Sequence, residues 1–396
     1  MASESLSSPL KVVIVGAGIA GLSAAIALGK QGHDVVILEK SRFAKETGAA
    51  IHLPPNCTVL LKWMDINPAD FGGTLLREIH RYRGEGDLKF IKDFADARKT
   101  WQSEWYLVHR VDLHNYLKEV ALKTAVLHTG CNVVDVNIEE PRVVLDDGRE
   151  FRADLLLGAD GVHSMLRDHI APDSAPPYPT GKACFRWLVP VQSLMQSGNT
   201  KELVQKPGVF MEWAADDRRL VAYPCSNNTV YNLCGFGPTA EAGVQDGVEG
   251  KGWQITGNKD SLAQIFIKFS TGVRELIDLA DANLKVWQLY DMESLPTWVK
   301  DQAALIGDAA HPFQPYMGQG GAMAIEDAVS IATLIPRGTT VEDIPGRLRL
   351  YEMARKSRVE KVLEYTRMNG RDENDVTGPR VSPAGVIEFM LGQLPV

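Results

Sequence analysis

"KVVIVGAGIAGLSAAIALGKQGHDVVILEK", residues Lys11 to Lys40, decides the fold. Lys11 to Gly16 is an apolar run closed by glycine, which reads as a buried strand. Gly18 to Gly32 has the period and the small residues of a tightly packed helix, and Asp34 to Lys40 is a second buried strand. Strand, helix and strand in that order predict a parallel sheet. The turn between the first two is Gly16-Ala17-Gly18-Ile19-Ala20-Gly21, a dinucleotide fingerprint in its required place. Gly16 permits the tight turn, Gly18 lets the backbone approach a pyrophosphate, and Gly21 lets helix and sheet pack closely. Free N–H groups and the dipole at the helix start then hold the phosphates. Glu39 ends the second strand, placed to accept hydrogen bonds from a ribose and unfavourable to a 2′-phosphate. A merely tight turn is the bland alternative, and FAD and NAD both stay open on these residues.

Two later stretches repeat the design of strand, small-residue turn and helix. "LLLGADGVHSMLR" (Leu155 to Arg167) carries Asp160 at its turn, and "AALIGDAAHP" (Ala303 to Pro312) carries Asp308. Each carboxylate either anchors hydroxyls of an extended cofactor or caps the helix that follows. Beyond Asp308, Gly318-Gln319-Gly320-Gly321 leads into another helical segment.

The rest of the chain bounds the answer. Its 396 residues suffice for two or three domains. A net charge of -8 without any lysine or arginine block argues against nucleic acid. Five cysteines with no C-x-x-C pair suggest a reduced, cytoplasmic protein. "MASESLSSPLK" reads as a short disordered tail rather than a signal peptide, and no run suggests a membrane span. "NVVDVNIEE", "RVVLDDGRE" and "FRADLLLGAD" read as three strands, with a hairpin at Asp147-Gly148. Strand signals dominate from about 180 to 237 and predict an antiparallel layer, so the first domain is discontinuous. Gly243 to Asp260 reads as a loop, and Ser261 to Ala280 as one amphipathic helix. The remainder is mostly helical, interrupted at Pro336, Pro345, Pro379 and Pro383. His109 and His114 lie off a single helical face with no ligand cluster, so no metal site is expected.

Gly16 to Gly21, then Gly158-Ala159-Asp160-Gly161, then Gly307-Asp308 resemble the class A flavoprotein aromatic monooxygenases. The similarity is strongest to the salicylate hydroxylase-like branch, which includes fungal enzymes that hydroxylate or dearomatise phenols. The resemblance implies an α/β fold: a Rossmann-like, p-hydroxybenzoate-hydroxylase-like FAD-binding domain, an inserted antiparallel β-sheet substrate domain and a helical C-terminal region. It divides the chain into FAD-binding parts at 1–75, 101–178 and 291–335, substrate-domain parts at 76–100 and 179–290, and the helical region at 336–396. FAD bound non-covalently is implied, with NAD(P)H as a transient co-substrate because no second G-x-G-x-x-G exists. The implied reaction adds oxygen from O2 to a small aromatic substrate through a flavin C4a-hydroperoxide, in a monomer or homodimer.

Site residues follow from the same resemblance. Asp308 contacts the ribityl chain, Asp160 and Gly161 support FAD and NAD(P)H use, and Arg110 in "VHRVDLHNYL" lies near the pyrophosphate. Lys40, Ala50 and Pro315 join the cofactor contacts. Gly318, Gly320 and Gly321 let backbone lie against the flavin, whose reduced edge meets a helix N-terminus. Arg186 and Tyr223 hold the substrate oxygen and favour phenolate over phenol, with His52 lining the site. Otherwise Arg186 snorkels outward and Tyr223 is core; His311 is chiefly structural. Two rivals remain: the same chemistry on an indole or other N-heterocycle, and a non-catalytic escort-type protein. Intact Asp160 and Asp308 argue against the second.

Overall fold

The computed structural model describes residues 8–42, 49–244, 255–281 and 284–372. Residues 1–7 of the tail, most of the Gly243–Asp260 segment, and Pro379 and Pro383 lie outside these described residues. Lys11–Val15, helix Ile19–Lys30 and Asp34–Glu39 form the expected strand–helix–strand start. They sit in a six-stranded sheet ordered Val299–Lys300, Ala303–Leu305, Leu155–Gly158, Lys11–Val15, Asp34–Glu39, Ala125–Thr129. All its neighbours run parallel except the first pair. Strand order therefore brings the Gly16, Asp160 and Asp308 turns to the carboxyl ends of three adjacent strands. That is where open α/β sheets bind ligands.

A seven-stranded sheet forms the second layer, ordered Lys285–Asp291, Tyr178–Pro190, Val230–Pro238, Arg218–Cys225, Val209–Ala215, Glu78–Arg83, Leu88–Asp93. Its pairs are antiparallel except Val209–Ala215 with Glu78–Arg83, a parallel pair the sequence reading did not anticipate. The cause is topological: the strands 78–93 enter from the early part of the chain. Period-2 alternation sorts the faces of this sheet. Phe185, Trp187, Leu220, Ala222 and Leu233 pack under the helices Lys259–Ile265 and Thr271–Asp278. Cys184, Val221, Tyr223, Cys234 and Phe236 face the other way, into a cluster with Trp105, Leu107 and Trp287. Each large apolar side chain fully buried this way contributes about 1.5–3 kcal/mol. A small sheet of Ala50–Leu53, Tyr106–His109 and Thr74–Leu75 lies against that face.

Three local expectations need correcting. The segment Ser261 to Ala280 is two helices, because Ser270 accepts a hydrogen bond from Val273 N (3.5 Å) and starts a second one. "FRADLLLGAD" splits into Glu150–Arg152, in a three-stranded sheet, and Leu155–Gly158, in the parallel sheet. Pro345 begins rather than interrupts the helix Ile344–Asn369, where its missing N–H would have no intrahelical partner. Among the described residues no helix is long and apolar enough to cross a membrane.

Candidate active site

Gly16 adopts φ +104°, and its N–H donates to Leu38 O at 2.8 Å, closing the turn onto the second strand. A Cβ on Gly16 would lie 2.3 Å from Ala159 O, and one on Gly21 would lie 2.0 Å from Gly16 O. Both contacts are forbidden to any side chain, so these glycines set how closely turn, helix and neighbouring strand approach. Gly18 differs: a Cβ there meets nothing within 4 Å among the described residues, which leave this side of the turn open. The helix it precedes has no side-chain cap and no acidic residue in its first turn. Its N–H groups remain directed at an incoming anion. Gly320–Leu334 begins the same way, behind Gly318 at φ +61°.

Glu39 is bound more firmly than a ribose acceptor needs. Its two carboxylate oxygens accept from Ala17 N (2.8 Å) and Ser41 N (2.7 Å), bracing the phosphate-facing turn. Lys40 beside it is exposed. His114, which the sequence reading passed over as a metal ligand only, donates from Nε2 to Ala17 O (2.8 Å) and locks the same turn from the helix Arg110–Ala121. Arg110 opens that helix, its N–H donating to Ala49 O at 2.7 Å.

Asp160 caps its helix. It accepts from Ser164 Oγ (2.6 Å), Met165 N (2.8 Å) and Leu166 N (3.3 Å), while burial raises its carboxyl. Asp308 behaves otherwise. Its carboxylate accepts no hydrogen bond among the described residues and is open to solvent. The surrounding protein pushes its carboxyl up, against the opposing charges of His311, Arg110 and Arg167. Arg167, missed in the sequence, ties the two aspartate turns together. Its guanidinium donates to Val162 O (2.6 Å), Ala309 O (2.8 Å) and Asp308 O (2.9 Å).

Behind the glycine turn lies a buried ionic network. His311 Nε2 donates to Asp327 Oδ2 at 2.6 Å, and Gly307 N donates to the same oxygen at 3.0 Å. Arg355 bonds Asp327 (2.9 Å) and Glu326, and Arg358 also bonds Glu326 (2.8 Å). Asn56 donates to Glu326 (2.8 Å) and to Gln319 (3.2 Å), which joins the network to the glycine turn itself. His311 is therefore structural, buried and held against the Asp327 carboxylate. The glycine turn, the uncapped helix starts and the unengaged Asp308 carboxylate together fit an extended dinucleotide.

The second half of the site is the aromatic face of the large sheet. Arg186 is half-buried, its guanidinium 4.7 Å above the Trp287 ring, and its Nε has no hydrogen-bond partner among the described residues. Tyr223 is buried and its hydroxyl donates to Ala50 O at 2.9 Å, leaving only oxygen lone pairs to offer. The His52 ring meets Tyr223 at 4.7 Å, Phe210 at 5.3 Å and Trp105 at 5.9 Å, all edge-on. Burial holds its imidazole down at about 3, so it is neutral in the physiological range. Trp105 N–H, like His52 Nδ1, is buried without a partner among the described residues. Cys234 faces Arg186 across paired strands. Burial alone would raise this thiol, but Cys184, the Arg186 charge and Asn232 outweigh it and pull it below the ordinary thiol range. Ala50 and His52 lie between the two halves: a Cβ on Gly318 would sit 3.0 Å from His52 Cγ. Pro315 opens the short helical turn before Gly318.

Comparison with known proteins bears on this arrangement directly. Residues 134–366 match the FAD binding domain family, and residues 11–52 match the FAD dependent oxidoreductase family. Hispidin-3-hydroxylase of Neonothopanus nambi is 34% identical over 90% of this chain and 88% of its own. 3-Hydroxybenzoate 6-hydroxylase 1 of Aquipseudomonas alcaligenes is 32% identical over 90% of this chain and 87% of its own. A salicylate hydroxylase substrate complex shares the fold, with a TM-score of 0.79 at 23% identity over 97% of this chain and 94% of the other.

Proposed function

We propose, for a chain that belongs to the FAD-dependent aromatic monooxygenases, that it acts in the cytoplasm on a phenol or aromatic acid, with NAD(P)H and O2 as co-substrates. The observation that carries this reading is Arg186: a cation with an unpartnered donor, stacked on Trp287 among aromatic side chains. Such a group stabilises a phenolate or carboxylate far more than it would in water. FAD, when bound, supplies the redox chemistry, taking reducing equivalents from NAD(P)H and passing them to O2.

The residues divide that work. Gly16, Gly18 and Gly21 would receive the pyrophosphate, and Asp308 would accept from ribityl hydroxyls, its lone pairs being uncommitted. Gly318, Gly320 and Gly321 would border the ring. Arg186 holds the substrate anion and keeps its ring electron-rich. Tyr223 can accept from a separate hydroxyl of the substrate but cannot donate to its anion, because its own proton is committed to Ala50 O. His52, Phe210 and Trp105 exclude water and set the plane in which an aromatic ring can lie.

The test is a panel of phenols, hydroxybenzoates and indoles given to the FAD-loaded protein. NAD(P)H oxidation and product mass are scored together. Faster oxidation with a product one oxygen heavier, for phenols or hydroxybenzoates, supports the reading. Turnover confined to indoles, or no oxygenated product at all, overturns it.

A further inference from the structure

We infer that Asn232 is a positioning residue: from the substrate sheet it fixes the strand Ala50–Leu53, which borders the cofactor. The inference rests on the proposed function, with the cofactor against Gly318, Gly320 and Gly321 and the substrate against Arg186.

Asn232 is completely buried on Val230–Pro238, directly opposite Tyr223 in the neighbouring strand. Its Oδ1 accepts from Ala50 N at 3.0 Å, while Tyr223 donates to Ala50 O at 2.9 Å. Ala50–Leu53 is an edge strand of its small sheet, so Ala50 has outward-facing backbone groups with no strand partner. Two side chains of the other sheet satisfy both. A single residue is thus gripped by its donor and its acceptor at once, which fixes its position along the strand.

The next residues carry that position to the glycine turn. A Cβ on Gly321 would lie 2.7 Å from Ile51 Cδ1, and one on Gly318 would lie 3.0 Å from His52 Cγ. The side chains of Ile51 and His52 thus pack directly against the glycine segment, so a shift of the strand is felt there. At its other end the Asn232 amide donates to Cys234 Sγ at 3.3 Å, and Cys234 is the residue paired opposite Arg186. One side chain therefore touches both the flavin-facing strand and the partner of the substrate's cation. Alternation along Val230–Pro238 explains why Asn232 can do this, since it shares a face with Cys234 and Phe236. A polar residue here costs stability unless both ends of its amide are used, and both are.

Three variants separate positioning from mere space-filling. Asn232→Leu fills the volume without hydrogen bonds, Asn232→Asp keeps the acceptor for Ala50 N, and Tyr223→Phe removes the second grip with little change in volume. Hydrogen exchange of the Ala50 amide and the visible circular dichroism of bound FAD are measured on the holoenzyme. Asn232→Leu should speed Ala50 exchange about tenfold and change the flavin spectrum, as loss of one hydrogen bond implies. Asn232→Asp should restore protection. Asn232→Leu with Tyr223→Phe should change the spectrum non-additively, because both grip one residue. Wild-type exchange and wild-type spectrum in Asn232→Leu would show that Asn232 only fills space. A wild-type protein whose bound FAD gives no visible circular dichroism would instead defeat the underlying site reading.

Discussion

Lowering the pH should charge His52 more readily in the unfolded chain than in the folded one, with a measurable loss of stability. Burial brings its imidazole from 6.5 to about 3. The folded value lies below the unfolded one, so folding favours the neutral ring. The stability is fully present above about pH 6.5 and is lost progressively as pH falls toward about 3. At about pH 5 the unfolded chain is roughly 1.5 units below its own value while the folded ring is still neutral. At about 1.4 kcal/mol per unit, the loss from this residue is about 2 kcal/mol. Urea unfolding of the wild type and of His52→Gln, each near pH 8 and near pH 5, isolates it. Glutamine does not titrate, so the wild type should lose about 2 kcal/mol more than the variant between the two conditions. Equal losses would mean that His52 is not desolvated, and that the aromatic walls around it are open to water.

Other expectations follow from the same geometry. Asp308→Ala should weaken FAD binding by about 1.5–3 kcal/mol, the worth of a charged hydrogen bond. Glu39→Ala should weaken it too, through release of the Ala17 and Ser41 N–H groups; unchanged FAD affinity in both would place the cofactor elsewhere. Arg186→Ala or Tyr223→Phe should keep FAD while lowering product formed per NAD(P)H consumed; wild-type coupling in both would make these residues structural. Arg355→Met leaves Asp327 without its arginine in a buried site and should destabilise the fold by about 3–5 kcal/mol, read as a fall in urea midpoint. Acid precipitation should release flavin into the supernatant, and colour retained in the pellet would mean a covalent link.

The cofactor half of this architecture was readable because its signals are local. Gly16, Gly18 and Gly21 lie within six residues, and the backbone conformation they permit is a property of glycine itself. The turns at Asp160 and Asp308 were visible for the same reason, although Asp160 proves to spend its lone pairs on its own helix. What holds the turns together was not visible. Arg167 reaches Ala309 across 142 positions, and His114 reaches Ala17 across 97. Neither partner leaves a mark on its neighbours in sequence. Tyr223 was readable as a candidate but not as a donor to Ala50, because its partner is a backbone carbonyl 173 residues away. Asn232 carries no motif at all; only the strand register brings it under Ala50. The break between the two helices after Lys259 was hidden because the apolar period runs on through Phe266 and Phe269, which pack against each other at 4.9 Å.

The most direct test of the account is isotopic. The FAD-loaded protein is supplied with NAD(P)H, a hydroxybenzoate or phenol that it turns over, and ¹⁸O-labelled O2. One labelled oxygen atom in each molecule of aromatic product is the predicted result. Oxidation of NAD(P)H with all of the label in hydrogen peroxide or water, and an unlabelled aromatic, would contradict it.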